Sequence, residues 1–252
     1  MERVGKRHPD RSGRRDAGAA LAVVLGLLAV TVVFGTVFPA LKRLELLSAR
    51  RYNAGLRAYG LARGGVHLAL AHMQTDDTAY DEADDNWCDA DTYHTSTELG
   101  QRTIRCWSAA EILAASGDAV SVPDAARARI QELVERKKLR LNVNFCNRDQ
   151  LAARLSDSAV ESIWRHRTGE DGEAGTGDDR TFTSLDDVRR VLGGSETALA
   201  TIGDKIAVNS AVRLIRSNGS VRKHGRLLGT CRIDAVVRSD RDTWVIEQWI
   251  ED

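Results

Sequence analysis

From Ala17 to Leu41 the chain runs 25 residues without a charge, rich in Val, Leu, Ala and Phe. A helix of that length rises roughly 37 Å at 1.5 Å per residue, more than the roughly 30 Å hydrocarbon core of a bilayer. Its Leu, Val and Phe residues supply an insertion term on the order of −4 to −8 kcal/mol, an upper bound because mid-membrane values are used throughout. Lys42 and Arg43 end the run. A cleaved secretory signal has an apolar region of only about 7–15 residues and a small-x-small site after it. This run is longer, and Phe38-Pro39-Ala40-Leu41 is a poor site. The feature therefore predicts a retained single membrane span.

Charge sets its direction. The chain has 36 basic and 36 acidic residues, yet Arg3, Lys6, Arg7, Arg11, Arg14 and Arg15 crowd ahead of the span. The basic side stays in the cytoplasm, which places everything after Leu41 on the far side. The rest of the chain is slightly acidic and lacks the basic excess of a nucleic-acid-binding domain. Cys88, Cys106, Cys146 and Cys231 all follow the span, where an oxidising compartment permits disulfides. Cys88 and Cys106, each beside a tryptophan, form the favoured local pair. Four cysteines allow three pairings, and free buried thiols stay open as an alternative.

Beyond the span no strong breaker occurs before Gly64-Gly65. Leu44, Leu47, Tyr52, Leu56 and Tyr59 recur at near-helical spacing, followed by Val66, Leu70 and Met73. One long helix over about 19–74 is expected, bent at Pro39, with its second half amphipathic and packed on a globular part. Residues 75–97 read as an acidic loop, 102–108 as a strand, and a helix starts after Ser121 with Pro123 in its first turn. Short helices are expected over about 148–155, 159–167 and 184–192, with Asn147 and Ser184 as caps. Antiparallel strands follow at 207–216, 227–237 and 243–250, with a turn at Ser217-Asn218-Gly219 and another across 239–242. The order is an α+β one: long helix, helical unit, antiparallel sheet.

The junction Arg14-Arg15-Asp16-Ala17-Gly18-Ala19-Ala20-Leu21 resembles a prepilin-type leader. That resemblance implies a cut between Gly18 and Ala19 by a prepilin peptidase, with Ala19 as the N-methylated first residue. The fifth residue after the cut is Val23, where most pilins have a glutamate; among pseudopilins this is similar to the K member. Leu141-Asn-Val-Asn-Phe-Cys-Asn-Arg-Asp-Gln-Leu resembles the "I-N-V-N-T-A … L" segment of general secretion pathway protein K. Phe182-Thr-Ser-Leu-Asp-Asp-Val-Arg-Arg-Val-Leu-Gly resembles that family's "F-x-S-L-D-E-L-R-x-V-x-G" segment. Val208-Asn-Ser-Ala-Val-Arg-Leu-Ile resembles its return strand and Trp244-Val-Ile-Glu-Gln-Trp its last one. The resemblance covers about 14–73 and 139–250, and the longer first part of the family's insert has no counterpart.

A shortened or divergent minor pseudopilin of a type II secretion system is what the resemblance implies. Its divisions are a leader (1–18), a pilin helix (19–74), a periplasmic variable region (75–138), a helical insert (139–206) and C-terminal strands (207–252). It would be an inner-membrane, non-catalytic subunit that primes or caps the pseudopilus. Its partners would be other minor pseudopilins and the secretion inner-membrane platform.

Three further chemistries are weighed. Asp171, Glu173, Asp178 and Asp179 lie in a glycine-bearing acidic loop, a composition that suits Ca²⁺. Calcium binding in the pseudopilin K family makes the same implication, although the spacing is not an EF-hand. The insert also resembles a helix–hairpin–helix module, so the alternative function is a membrane-anchored DNA-binding protein. Its hairpin Leu155-Ser-Asp-Ser-Ala-Val lacks the glycine that brings backbone N–H groups to phosphates. No motif for a nucleophilic serine, a zinc protease or a phosphate-cradling loop occurs, and the histidines stand apart, so no enzyme is expected.

Overall fold

The computed structural model describes residues 12–76, 80–81, 95–97, 100–115, 121–136, 138–173, 176–194, 202–241 and 243–252. It is an α+β fold. Helix α1 runs unbroken over Ser12–Thr75, through Pro39. The chain divides into two compact units, Met1–Tyr52 and Asn53–Asp252.

The first unit is the early part of α1. It contains a window of mean hydropathy 2.6 with none of its surface buried, long and apolar enough to cross a membrane. Thr31 donates its hydroxyl to the Leu27 carbonyl at 2.7 Å, and Thr36 donates to that of Val32 at 2.9 Å. Polar side chains in an apolar run are thereby satisfied within the helix, as lipid requires.

The second unit holds the sheet. Strands β1 (Thr95–Thr97), β2 (Gly100–Ser108), β5 (Val212–Lys223), β6 (Arg226–Asp240) and β7 (Thr243–Glu251) form one antiparallel sheet in the order β1-β2-β5-β6-β7. Between β2 and β5 the chain makes α2 (Ala109–Ala114), α3 (Asp124–Arg136), α4 (Arg148–Ala152), α5 (Asp157–Arg167) and α6 (Leu185–Val191). The two-residue strands β3 (Leu141–Asn142) and β4 (Ile206–Ala207) pair in parallel and close the base of the α4–α6 excursion. Asn147, Ser184 and Ser108 each cap a helix through a reciprocal capping box. Strand periodicity then separates two cores. Ile104, Cys106, Ile215, Ile233, Ala235 and Val237 face α1, while Leu214, Val236 and Val212 face the helices on the opposite side.

The contact between α1 and the sheet differs from the expected stripe. Leu44, Leu47 and Tyr52 are exposed, and so is Leu56. The buried line keeps the expected Val66, Leu70 and Met73 and is completed by Ala54, Ala58, Ala62 and Ala69. Its steps of four and three residues keep one face on the sheet. Small residues hold this seam because the sheet brings glycines to it. A Cβ on Gly219 would lie 2.0 Å from the Ala58 carbonyl oxygen, and one on Gly229 would lie 2.7 Å from the Ala54 carbonyl carbon. A Cβ on Gly65 would lie just as close to the Ser217 hydroxyl, at 2.0 Å. This proximity also explains the missing turn at Ser217-Asn218-Gly219. β5 continues straight through these residues and reverses at His224-Gly225, both with positive φ (50° and 76°). The glycine that reads as a turn in sequence is a clearance glycine under a helix.

The region 75–138, which carries no recognisable motif, supplies β2, paired on both edges, and α3, which buries Ala126, Ile130, Leu133 and Val134. Gly219→Ala is expected to lower stability by about 1–3 kcal/mol, because an added Cβ collides with helix backbone. Gly60→Ala, with open space at its Cβ, is expected to raise stability by about 0.5–1 kcal/mol. Urea unfolding midpoints of the two variants are expected to move in opposite directions.

Candidate functional site

Gly18 and Ala19 both lie within α1 and are exposed. A Cβ on Gly18 would meet nothing within 4 Å. The sequence Arg14-Arg15 is helical too, and the leader before Ser12 lies outside the described residues. The apolar surface offered by the first unit is broad: Leu21, Leu25, Leu28 and Phe34 are each more than half exposed. In water such a surface is unstable, so it is covered by lipid or by other protein.

In the second unit the Asn-Val-Asn motif is the centre of a buried polar network. Asn142 donates from Nδ2 to Asp81 Oδ2 at 2.9 Å and to the Ser210 hydroxyl at 3.1 Å. Asn144 exchanges two bonds with the Phe182 backbone, donating to its carbonyl at 3.0 Å and accepting from its N–H at 2.9 Å. It also donates to the Asp81 carbonyl at 3.0 Å. Asp81 takes the Ser210 N–H at 2.6 Å and the Arg213 guanidinium at 2.5 Å. Both charged side chains are almost fully buried, at 3% and 4% exposure. Arg213 in turn lies over the Trp244 ring, 4.7 Å from its centroid. The Trp244 indole donates to the Met73 carbonyl at 3.2 Å, satisfying one of the orphan acceptors at the end of α1. The two asparagines are visible in the sequence as a motif. Asp81 is not: it lies in an acidic stretch, and only the fold distinguishes it from its neighbours.

A cleft of about 350 Å³ borders this network, lined by Met73, Asp81, Asn209, Arg213, Arg241 and Trp244. The charges at its floor already bond each other, which fits a structural joint better than a reaction centre.

The acidic loop is organised around its own backbone. Asp178 accepts the Glu170 N–H at 2.7 Å and the Thr176 hydroxyl at 2.7 Å. The Thr176 hydroxyl, and then the Glu170 N–H, hold its carboxyl below the usual range. Gly169, at φ 63°, is what lets that carboxylate lie over the turn: a Cβ there would sit 2.1 Å from Asp178 Oδ2. Asp171 accepts the Glu173 N–H at 2.8 Å. Among the described residues no three carboxylate, histidine or cysteine groups converge on a point that could hold a metal. Asp171, Glu173, Asp178 and Asp179, the expected calcium ligands, share this loop, in which Asp171 and Asp178 accept backbone N–H groups of the turn.

Cys106, Cys146 and Cys231 carry free thiols. Cys106 points into the core against α1, and Cys88, its expected disulfide partner, lies outside the described residues. Burial pushes the Cys106 and Cys146 thiols up to about 12.

In the α4–α5 hairpin no residue of 153–156 has positive φ. Arg154 is folded inward onto the Leu139 and Lys205 carbonyls, at 3.4 and 3.2 Å. Arg148 and Arg165 both pair with Glu161.

No family model matches the chain, and no curated protein matches it. Among solved structures the chain is similar to the crystal structure of the GspK-GspI-GspJ complex from the enterotoxigenic Escherichia coli Type 2 Secretion System. Identity is 10% over 75% of this chain and 94% of that chain, with a TM-score of 0.33. A likeness so slight carries no argument.

Asp81→Ala is expected to cost about 3–5 kcal/mol, since it leaves the buried Arg213 charge without its carboxylate; chemical denaturation measures it. With pKa values of about 12, Cys106 and Cys146 are about one part in ten thousand thiolate at pH 8. Iodoacetamide is therefore expected to modify the half-buried Cys231 first, and the other two only after unfolding, as read by peptide mass spectrometry.

Proposed function

We propose that this protein is a minor pseudopilin-like subunit of a type II secretion system, acting by assembly rather than by turnover. The observation that carries the reading is α1: one helix from Ser12 to Thr75, apolar and uncovered in its early part, clamped to a sheet by an alanine seam in its later part. A membrane anchor alone has no need of such continuity, whereas a subunit that joins others through its helix does. The Asn142-Val143-Asn144 joint, the capped Ser184 helix and the β5 to β7 return support the same reading. They place the motifs that resemble general secretion pathway protein K at structurally committed points.

In this proposal the chain is made with its basic leader in the cytoplasm and cut between Gly18 and Ala19 by a prepilin peptidase. The new N-terminus, Ala19, is methylated. The sheet domain lies in the periplasm, and the subunit joins other minor pseudopilins and the inner-membrane platform to prime or cap the pseudopilus. Val23, an apolar residue five after the cut, suits a terminal position: it cannot pair with the amine of a subunit ahead, and it spares the bilayer an unpaired carboxylate.

N-terminal sequencing of the protein extracted from membranes that contain the peptidase is expected to read N-methyl-Ala19. Gly18→Val is expected to leave the leader attached. A mature chain still beginning at Met1 would overturn the assignment.

A further inference from the structure

The tip of the β5–β6 hairpin closes the sheet ladder at Arg222 with Leu227 and Lys223 with Arg226, and its side chains take no part in the seam or the buried network. Residues Arg222, Lys223, His224, Gly225, Arg226 and Leu227 are all exposed. The stretch carries three full cations, a histidine and no carboxylate. Arg222 reaches only the Gly225 carbonyl, at 3.4 Å, and among the described residues none of the three cations bonds an acidic side chain. Leu227, a bulky apolar side chain 52% exposed, stands among them.

The tip's place within the unit is defined by the seam. Successive β5 residues meet α1 at falling helix numbers: Ser217 at Gly65, Gly219 at Ala58, and Val221 in the cluster with Ala54 and Ala58. The hairpin therefore points toward the end of the unit at which α1 enters, where Arg57 is also exposed. Residues 42–52 join that end to the apolar run. Eleven residues span at most about 40 Å even when fully extended, which bounds the reach of the chain between that end and the run.

We infer that the β5–β6 hairpin tip docks on the anionic lipid surface beside the membrane span, with Arg222, Lys223 and Arg226 among the headgroup phosphates and Leu227 at the acyl boundary. A compact cationic loop with one exposed aliphatic residue matches such a surface in charge and in amphipathic character. Docking would give the unit a second point of attachment beside the span. The high effective concentration set by the short tether makes a weak patch sufficient.

The inference rests on the membrane anchoring in the proposed function, and not on leader cleavage or filament formation. The full chain is reconstituted in lipid nanodiscs of phosphatidylcholine, or of phosphatidylcholine with an equal part of phosphatidylglycerol. Hydrogen exchange is then followed for the peptide covering 221–229. Each cation near an anionic surface is worth roughly a fivefold change in partitioning. Exchange at the tip is therefore expected to slow roughly fivefold or more in the anionic discs, and the slowing is expected to vanish in molar salt, where the screening length is about 3 Å. The triple variant Arg222→Gln, Lys223→Gln, Arg226→Gln is expected to lose it while other peptides exchange unchanged. Should the triple variant misfold, Arg226→Gln alone is expected to lose most of it. Equal exchange in both disc types overturns the inference. Slowing in phosphatidylcholine discs upon adding inorganic phosphate, a DNA duplex or an acidic peptide also overturns it, by assigning the patch to that ligand. A chain that fails to enter discs at all refutes the anchoring instead.

Discussion

Close approach of α1 to the sheet is the constraint on which the rest of the second unit depends. A helix carrying leucines on its inner face would stand off a sheet by the length of its side chains. Here Ala54, Ala58 and Ala62 bring backbone against backbone at Gly219 and Gly229. Dispersion and burial of many small groups replace a few large ones. The consequence is a division of labour along one helix. Its bulky residues, Leu44, Leu47, Tyr52 and Leu56, are left outside, available to lipid or to other helices. The same choice makes β5 run straight where its sequence suggests a reversal.

The second constraint is the polar joint around Asp81. Burying a carboxylate and a guanidinium is costly, and a hydrophobic pair of similar volume would often hold a core as well. What the pair adds is direction. Asp81 must accept from Ser210, Asn142 and Arg213 together, and only one path of the chain satisfies all three. The joint thereby ties the end of α1, through Trp244 and Arg213, to the root of the α4–α6 excursion. The proposed role asks for this kind of rigidity, since an assembling subunit has to present its surfaces in a constant relation to its helix.

Much of this was legible before any coordinates. The apolar run, the continuous helix, the capped helices at Asn147 and Ser184, the β2 strand and the β6–β7 hairpin all follow from local patterns: hydropathy, capping residues and alternation. The misreadings share one cause. Val66, Leu70 and Met73 of the expected stripe are buried, but Leu44, Leu47 and Tyr52 join it only if burial is equated with bulk, and Gly219 marks a turn only if glycine is equated with reversal. In both cases the deciding partner lay more than a hundred residues away along the chain.

The amino-acid order alone determined that this chain has a segment apolar and long enough for a bilayer, a helix that outlasts it, and an antiparallel sheet after a helical unit. These properties depend on residues a few places apart, whose spacing is itself the physical signal. Tertiary structure alone decided which face of α1 is buried, which of many acids is Asp81, and where β5 turns. Those outcomes depend on the distance between surfaces that meet only once the chain has folded, and the lack of room for a Cβ at Gly219 has no trace in the residues beside it.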